Sequence, residues 1–167
     1  MVNTASANEH VPEIERQIRV VKEQSRATRH GLPFSRMPKL VTIFIVFAAA
    51  KMLNLFPPKG GASDILSPRT IMSGETLDCK KNLVLRIRQH CQVHQEDTLR
   101  NSQLPRTKGA IALGPGGNIQ GSFKFVALDS GKKITRRSWD VIPMPDAVIT
   151  RVNELGRDQP EQLVFAD

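Results

Sequence analysis

Tyrosine is absent from this 167-residue chain, tryptophan occurs once, at position 139, and cysteine twice. So few rings exclude an aromatic cage for a cation, or a platform that stacks successive bases, as the basis of binding. Cys79 and Cys91 cannot make a disulfide framework. Residues 1–10 lack the apolar stretch of a signal peptide, and an intracellular chain is expected. A long hydrophobic run is missing as well. Residues 40–50 are apolar apart from Thr42, but Lys39 and Lys51 bracket them. Spanning a bilayer takes roughly 20 such residues, so this run predicts a buried helix and no membrane partner.

What the chain holds in excess is positive charge. Lys and Arg number 24 against 16 Asp and Glu, a net charge of +8 at pH 7. An acidic partner follows, with nucleic acid ahead of a membrane surface. Apolar residues make up 40% of the chain, enough to fill a core.

The first half of the chain has helical periodicity. Asn8 suits an N-cap, Pro12 a first turn and Gly31 with Pro33 a stop, which predicts a helix over 12–30. At roughly 100° per residue, Ile14, Ile18, Val21 and Ser25 share one stripe, and Glu15, Arg19, Lys22, Arg26 and Arg29 the stripe beside it. A second helix runs from 38 to about 54, apolar nearly all round as if wedged between layers. Ser67, Pro68 and Gly74 frame a short third helix.

After residue 78 the period changes to two. Leu83, Leu85, Ile87, Cys91 and Val93 fall on one side, with Arg86, Arg88, His90, Gln92 and His94 on the other, as in a half-buried strand with room for a bend near Gln89. Strands over 109–113, 121–128 and 134–142, separated by glycine-rich turns, predict a small antiparallel meander or barrel. A short helix over 146–155 closes the pattern.

Three carboxylates, Glu9, Glu13 and Glu15, stand near the start of the first helix, where acidic residues complement the helix dipole. Glu15 also heads the basic ridge. A carboxylate among cations suits divalent-metal phosphoryl transfer, with the acid on the metal and the cations on a nucleic-acid backbone. In the β-rich half, Lys124, Lys132, Lys133, Arg136 and Arg137 are opposed between 108 and 137 only by Asp129. They suit phosphate contacts, or simply a solvated face. Zinc is disfavoured, because His90 and His94 lie about 13 Å apart on a strand. Residues 114–117 lack the Lys-Ser/Thr of a P-loop.

Glu13-Ile14-Glu15-Arg16-Gln17-Ile18-Arg19 resembles the Glu-Arg-x-x-Arg stretch on the last catalytic helix of copia-type retrotransposon integrases. Met37-Pro38-Lys39-Leu40, continuing through Ala48-Ala49-Ala50-Lys51-Met52-Leu53-Asn54, is similar to the helix that follows it, without that helix's Trp. Ser67-Pro68 with Gly74 looks like the connector. Gly109 to Gly114, Phe123 to Asp129 and Gly131 to Val141 resemble the β-rich module after the core.

The resemblance implies an α+β chain. Residues 1–74 would be the C-terminal helices of a ribonuclease-H-like integrase core with its connector, 75–142 a small antiparallel β-barrel-like DNA-binding module, and 143–167 a tail. Such cores use two Asp and one Glu with Mg²⁺ or Mn²⁺. Glu15 would be the Glu and a metal ligand, with Glu13 as rival, because Val11-Pro12 stands where the family has Asn-Gly. Arg19 and Lys22 would face the element's DNA end, and Arg26 and Arg29, on the same basic ridge, are further candidates to bind DNA. No Asp occurs among the fourteen residues before Glu15. A piece of a Gag-Pol polyprotein is therefore expected, inactive alone and without a stably bound metal. Its partners would be element ends, target DNA and other integrase copies, in the nucleus or a cytoplasmic virus-like particle, with no small-molecule substrate. The competing expectation is a stand-alone basic nucleic-acid-binding protein in which Glu15 only starts a helix.

Overall fold

The computed structural model describes residues 12–76, 78–95, 103, 105–118 and 120–157. Asn8 and Glu9 lie outside the described residues. Helix α1 (Pro12–His30) and helix α2 (Lys39–Leu55) pack against each other, and α1 ends in a turn in which Gly31 N–H donates to Ala27 O at 3.2 Å. Helix α3 (Pro68–Ser73) is capped as its sequence dictates. The Ser67 hydroxyl accepts from Thr70 N–H at 3.2 Å, and Gly74, at φ +72°, donates back to Thr70 O at 2.9 Å. A single turn, α4 (Cys79–Asn82), precedes the sheet.

The strands are β1 (His90–His94), β2 (Thr107–Pro115), β3 (Phe123–Ala127), β4 (Lys133–Arg136) and β5 (Trp139–Val141), followed by helix α5 (Asp146–Arg157). They make one antiparallel sheet in the order β4-β3-β2-β1-β5. The sheet is not closed into the expected barrel, because β4 and β5 are its two edges. It is nevertheless strongly curled, and chain length is the reason. Laid flat, the outer strands would sit about 19 Å apart, whereas the steps from Arg136 to Trp139 reach about 11 Å at most. The curl brings the Trp139 ring to 4.7 Å from Phe123 and 5.7 Å from Phe125, across two intervening strands.

Two departures from the sequence pattern follow. The segment expected as one strand over 134–142 is broken at Arg137 and Ser138, where the chain leaves one edge and joins the other. The alternating segment from Leu83 becomes a strand only at His90. Arg88 sits at φ +81°, its N–H donates to Ala112 O at 2.8 Å, and Gln89 N–H turns back to Arg86 O at 3.3 Å. This is the bend near Gln89, and it redirects Ile87 to the opposite side of the sheet from Leu85.

The two faces of the sheet bury different things. On one, Ile111, Leu113 and Val126 pack with Leu32, Phe34, Val41 and Ile45 from the helical half and with Val152 from α5. Residues from all three segments read from the sequence thus meet in one cluster. On the other, Cys91, Val93, Ala110, Ala112, Phe123 and Phe125 pack with Leu85, Ile134 and Trp139. Helix α5 is fixed by a close approach. A Cβ on Gly156 would lie 2.8 Å from Met37 N and 3.0 Å from Arg36 C, so glycine lets the two backbones touch. Arg151 completes the docking, its Nε and Nη2 donating to Leu128 O (2.8 Å) and Asp129 O (2.9 Å) on the β3–β4 turn.

Helix α2 is not covered all round. Val41, Ile45 and Ala49 are buried, but Phe47 is 64% exposed and Ile43 and Met52 are also open. Among the described residues no helix is long and apolar enough to cross a membrane.

Candidate nucleic-acid interface

The candidate residues divide between two places. Glu15, Arg19, Arg26 and Arg29 are exposed on α1, and Lys22 is half-buried beside them. Helical geometry keeps these five on one ridge, next to the stripe whose Val21 and Ser25 face the protein. Ser25 is buried because its hydroxyl donates to Val21 O at 2.7 Å within the helix. The first half of α1 stands clear of the rest. Ile14 is 57% and Ile18 49% exposed, so half of the apolar stripe covers nothing among the described residues.

The cations of the β-rich half do not share one surface. Strand pairing sets Lys124 opposite Thr135, Val126 opposite Lys133 and Phe123 opposite Arg136. Lys124 and Lys133 therefore sit on the helix-covered side and Arg136 on the side of Phe123. Lys132 lies in the β3–β4 turn and Arg137 just past β4, both exposed. Together Lys132, Lys133, Arg136 and Arg137 line an edge strand and its ends, where backbone groups are also open. The Arg136 guanidinium donates from Nη1 to Thr135 O at 2.8 Å, while its buried Nε has no partner among the described residues. Asp129 is turned to Lys108, 3.2 Å away, instead of to any of these. A side-chain hydrogen bond from Ser130, then Lys108, holds its carboxyl below the ordinary value.

Lys124 reaches the other way. Its Nζ lies 5.8 Å from the Phe44 ring centre, in the space between α2 and the sheet. That places it on the flank of α1 that carries Gln24 and Ala27, away from the ridge.

No protein-family model, curated protein or solved structure matches the chain.

Among the described residues, the donor set at Glu15 does not fit the divalent metal that the resemblance implies. Among the described residues no group of three His, Cys, Asp or Glu side chains gathers to hold an ion. Glu13, two residues before Glu15 and so nearly opposite it on the helix, points away from it. His90 and His94 have other partners. His90 Nδ1 is 2.8 Å from Pro143 O, and His94 Nε2 3.1 Å from Asp140 Oδ2. Cys91 is buried, which pushes its thiol up to about 11, and Cys79 is exposed.

Three cations escaped the sequence reading. Lys51, Arg86 and Arg88 line the same space as Lys124. Lys51 had read as the bracket of an apolar run, and the arginines as the wet side of a strand. The signal was a lysine inside an otherwise apolar helix, which is seldom placed there without a role for its charge.

Proposed function

We propose that the chain is the C-terminal part of a copia-type retrotransposon integrase. It comprises the end of a ribonuclease-H-like core, a connector and a DNA-binding β module, and it acts by holding DNA through its phosphates. The observation that carries this reading is the first half of α1. A helix that bears the matching Glu15, a basic ridge and an uncovered Ile14–Ile18 stripe fits an element that completes a larger core. The order of the four matching stretches supports the same reading. Phosphate contacts carry no sequence information, so binding is tolerant of sequence and steep in salt.

Glu15 is the one acid that the resemblance matches, and a single carboxylate cannot position the metal ions of strand transfer, so on this reading the chain alone joins no DNA ends. Its contribution is to hold the DNA backbone at two cationic places, the α1 ridge and the β4 edge.

The test is duplex binding by the full chain across a salt series. Arg19→Gln/Arg26→Gln and Lys132→Gln/Lys133→Gln each lower the slope of log affinity against log salt by about 2, with little dependence on sequence. Absence of binding at low salt, or slopes unmoved by both pairs, overturns the DNA reading. Metal-dependent strand transfer by the chain overturns the inactive assignment.

A second reading, a stand-alone basic nucleic-acid-binding protein, is favoured by the shared core of α2, the sheet and α5, which needs no further strands. The two readings part at α1, because a stand-alone protein has no need of the open Ile14–Ile18 stripe.

A further inference from the structure

Between α2, the second half of α1 and the sheet lies an open groove of about 1020 Å³. Its volume is at the upper end of small-molecule sites, which run from roughly 300 to 1,000 Å³. Apolar side chains make its walls, among them Phe44, Ala48, Met52, Leu55, Leu85 and Leu113. Phe44 to Leu55 alone gives a wall about 16 Å long. Among the described residues that line it none is Asp or Glu, yet Lys51, Arg86, Arg88 and Lys124 all reach it.

Lys51 is placed there at a cost. Burial, then the nearby charges of Arg69 and Lys124, hold the Lys51 ammonium below the ordinary lysine value. Arg69 is paired with Glu75 at 2.9 Å outside the groove, whereas the like charges that line the apolar wall itself are complementary to an anion that carries its own apolar body. Arg88 is partly engaged, its Nη1 donating to Gly31 O at 3.2 Å. Lys51, Lys124 and the exposed Arg86 remain to face a head group, and of these Lys51 on α2 and Lys124 on β3 stand on the two elements that face each other across the groove.

We propose that this groove binds a long-chain amphiphilic carboxylate, its head between Lys51 and Lys124 and its tail along the Phe44–Leu55 wall of α2. The site is distinct from the α1 ridge and the β4 edge. It shares only Lys124 with the DNA surface read from the sequence, so the two proposals fail separately.

The experiment is calorimetric titration of the full chain with palmitate, methyl palmitate and acetate. Duplex DNA at low salt serves as a parallel arm. Palmitate binds, while the ester, which keeps the tail and loses the charge, and acetate, which does the reverse, bind at least about tenfold more weakly, the scale of one charged contact. Lys51→Gln weakens palmitate about tenfold and leaves the ester unchanged. Ala48→Trp, which fills the groove without altering charge, abolishes palmitate binding and leaves DNA binding intact. Equal binding of palmitate and ester overturns the proposal, as does palmitate binding indifferent to both substitutions. So does binding confined to phosphatidylserine vesicles or to an amphipathic Leu/Glu peptide with none to palmitate. Loss of DNA binding alone bears on the other surface.

Discussion

The sheet has one face that closes on itself and one that depends on the rest of the chain. On the first, Phe123 and Phe125 meet Trp139 through curling alone, and apart from Leu85 every buried partner comes from the strands. On the second, Ile111, Leu113 and Val126 need Val41, Ile45 and Val152, which lie far away in sequence on two helices. A curled sheet of short strands can bury small residues such as Ala110 and Ala112 under a few rings. Its outer face is too wide for that and takes whole helices. The difference teaches where function has room. The inner face is filled, whereas the helix-covered face is only partly occupied and leaves the groove beside Phe44.

The strongest way to break this comparison is to empty the inner face. Phe125 is completely buried, and Phe125→Ala costs about 3–5 kcal/mol. Both clusters share the sheet, so urea melts followed by helix signal and by Trp139 fluorescence lose stability together. A helix signal that holds while the fluorescence transition shifts would show that the helices have a core of their own. Ile45→Ala attacks the other face and costs about 2–5 kcal/mol, again in both signals. A change confined to helix signal would make the sheet the independent unit.

The same contrast explains what was legible in the sequence. Helix α3 stood out because its signals are local: Ser67 and Gly74 each satisfy a backbone group of Thr70, and Pro68 takes the first turn, where no N–H is needed. Helix α1 was readable over 12–30 from Pro12 at its first turn and Gly31 with Pro33 at its stop, and periodicity gave its stripes. The meander was readable as turns and alternation, but its curl was not. Curling follows from the short link at Arg137 and Ser138, whose meaning depends on which edge β5 joins. The alternation from Leu83 misled because a left-handed Arg88 reverses the pattern, and nothing in that residue type announces a positive φ. His90 reads as polar but is buried, since the partner of its ring is Pro143 O, 53 positions away. The α1 ridge was visible because helical spacing fixes it. The grouping of Lys124 with Lys132, Lys133, Arg136 and Arg137 was visible only as charge density, and strand pairing splits it between two faces. The groove cations Lys51 and Lys124 belong to different elements, and only packing brings them together.

A smaller effect separates the sheet from its connector. Ser67→Ala removes the cap on α3 and costs about 1 kcal/mol. The connector shares few contacts with either face, so the loss shows as faster local exchange at the Thr70 and Ile71 amides before any global change. Equal destabilisation of β3 amides would mean that α3 supports the sheet. The two thiols give the same contrast chemically. A thiol reagent at pH 8 modifies exposed Cys79 at once, whereas Cys91, under the inner face with its pKa near 11, reacts only on unfolding. Prompt labelling of both would mean that the inner face opens readily.

The smallest expected effect lies at the turn where α5 meets the sheet. Asp129 faces Lys108 at 3.2 Å with both side chains about half exposed, so screening limits the pair to about 0.5 kcal/mol or less. The sign is fixed by the direction of the shift. A carboxyl held below 3.8 in the folded chain stabilises it above that pH, and the benefit fades as pH falls through the lower, folded value. Asp129→Asn therefore lowers stability slightly at pH 7 and leaves it unchanged near pH 2, as measured by urea midpoints at the two pH values. Arg151 holds the same turn through the Leu128 and Asp129 carbonyls, which are indifferent to pH. If Asp129→Asn instead costs as much as a core substitution at pH 7, the turn is held by its charge and not by Arg151. The attachment of α5 to the helix-covered face would then be electrostatic where the structure makes it a matter of backbone contacts and packing.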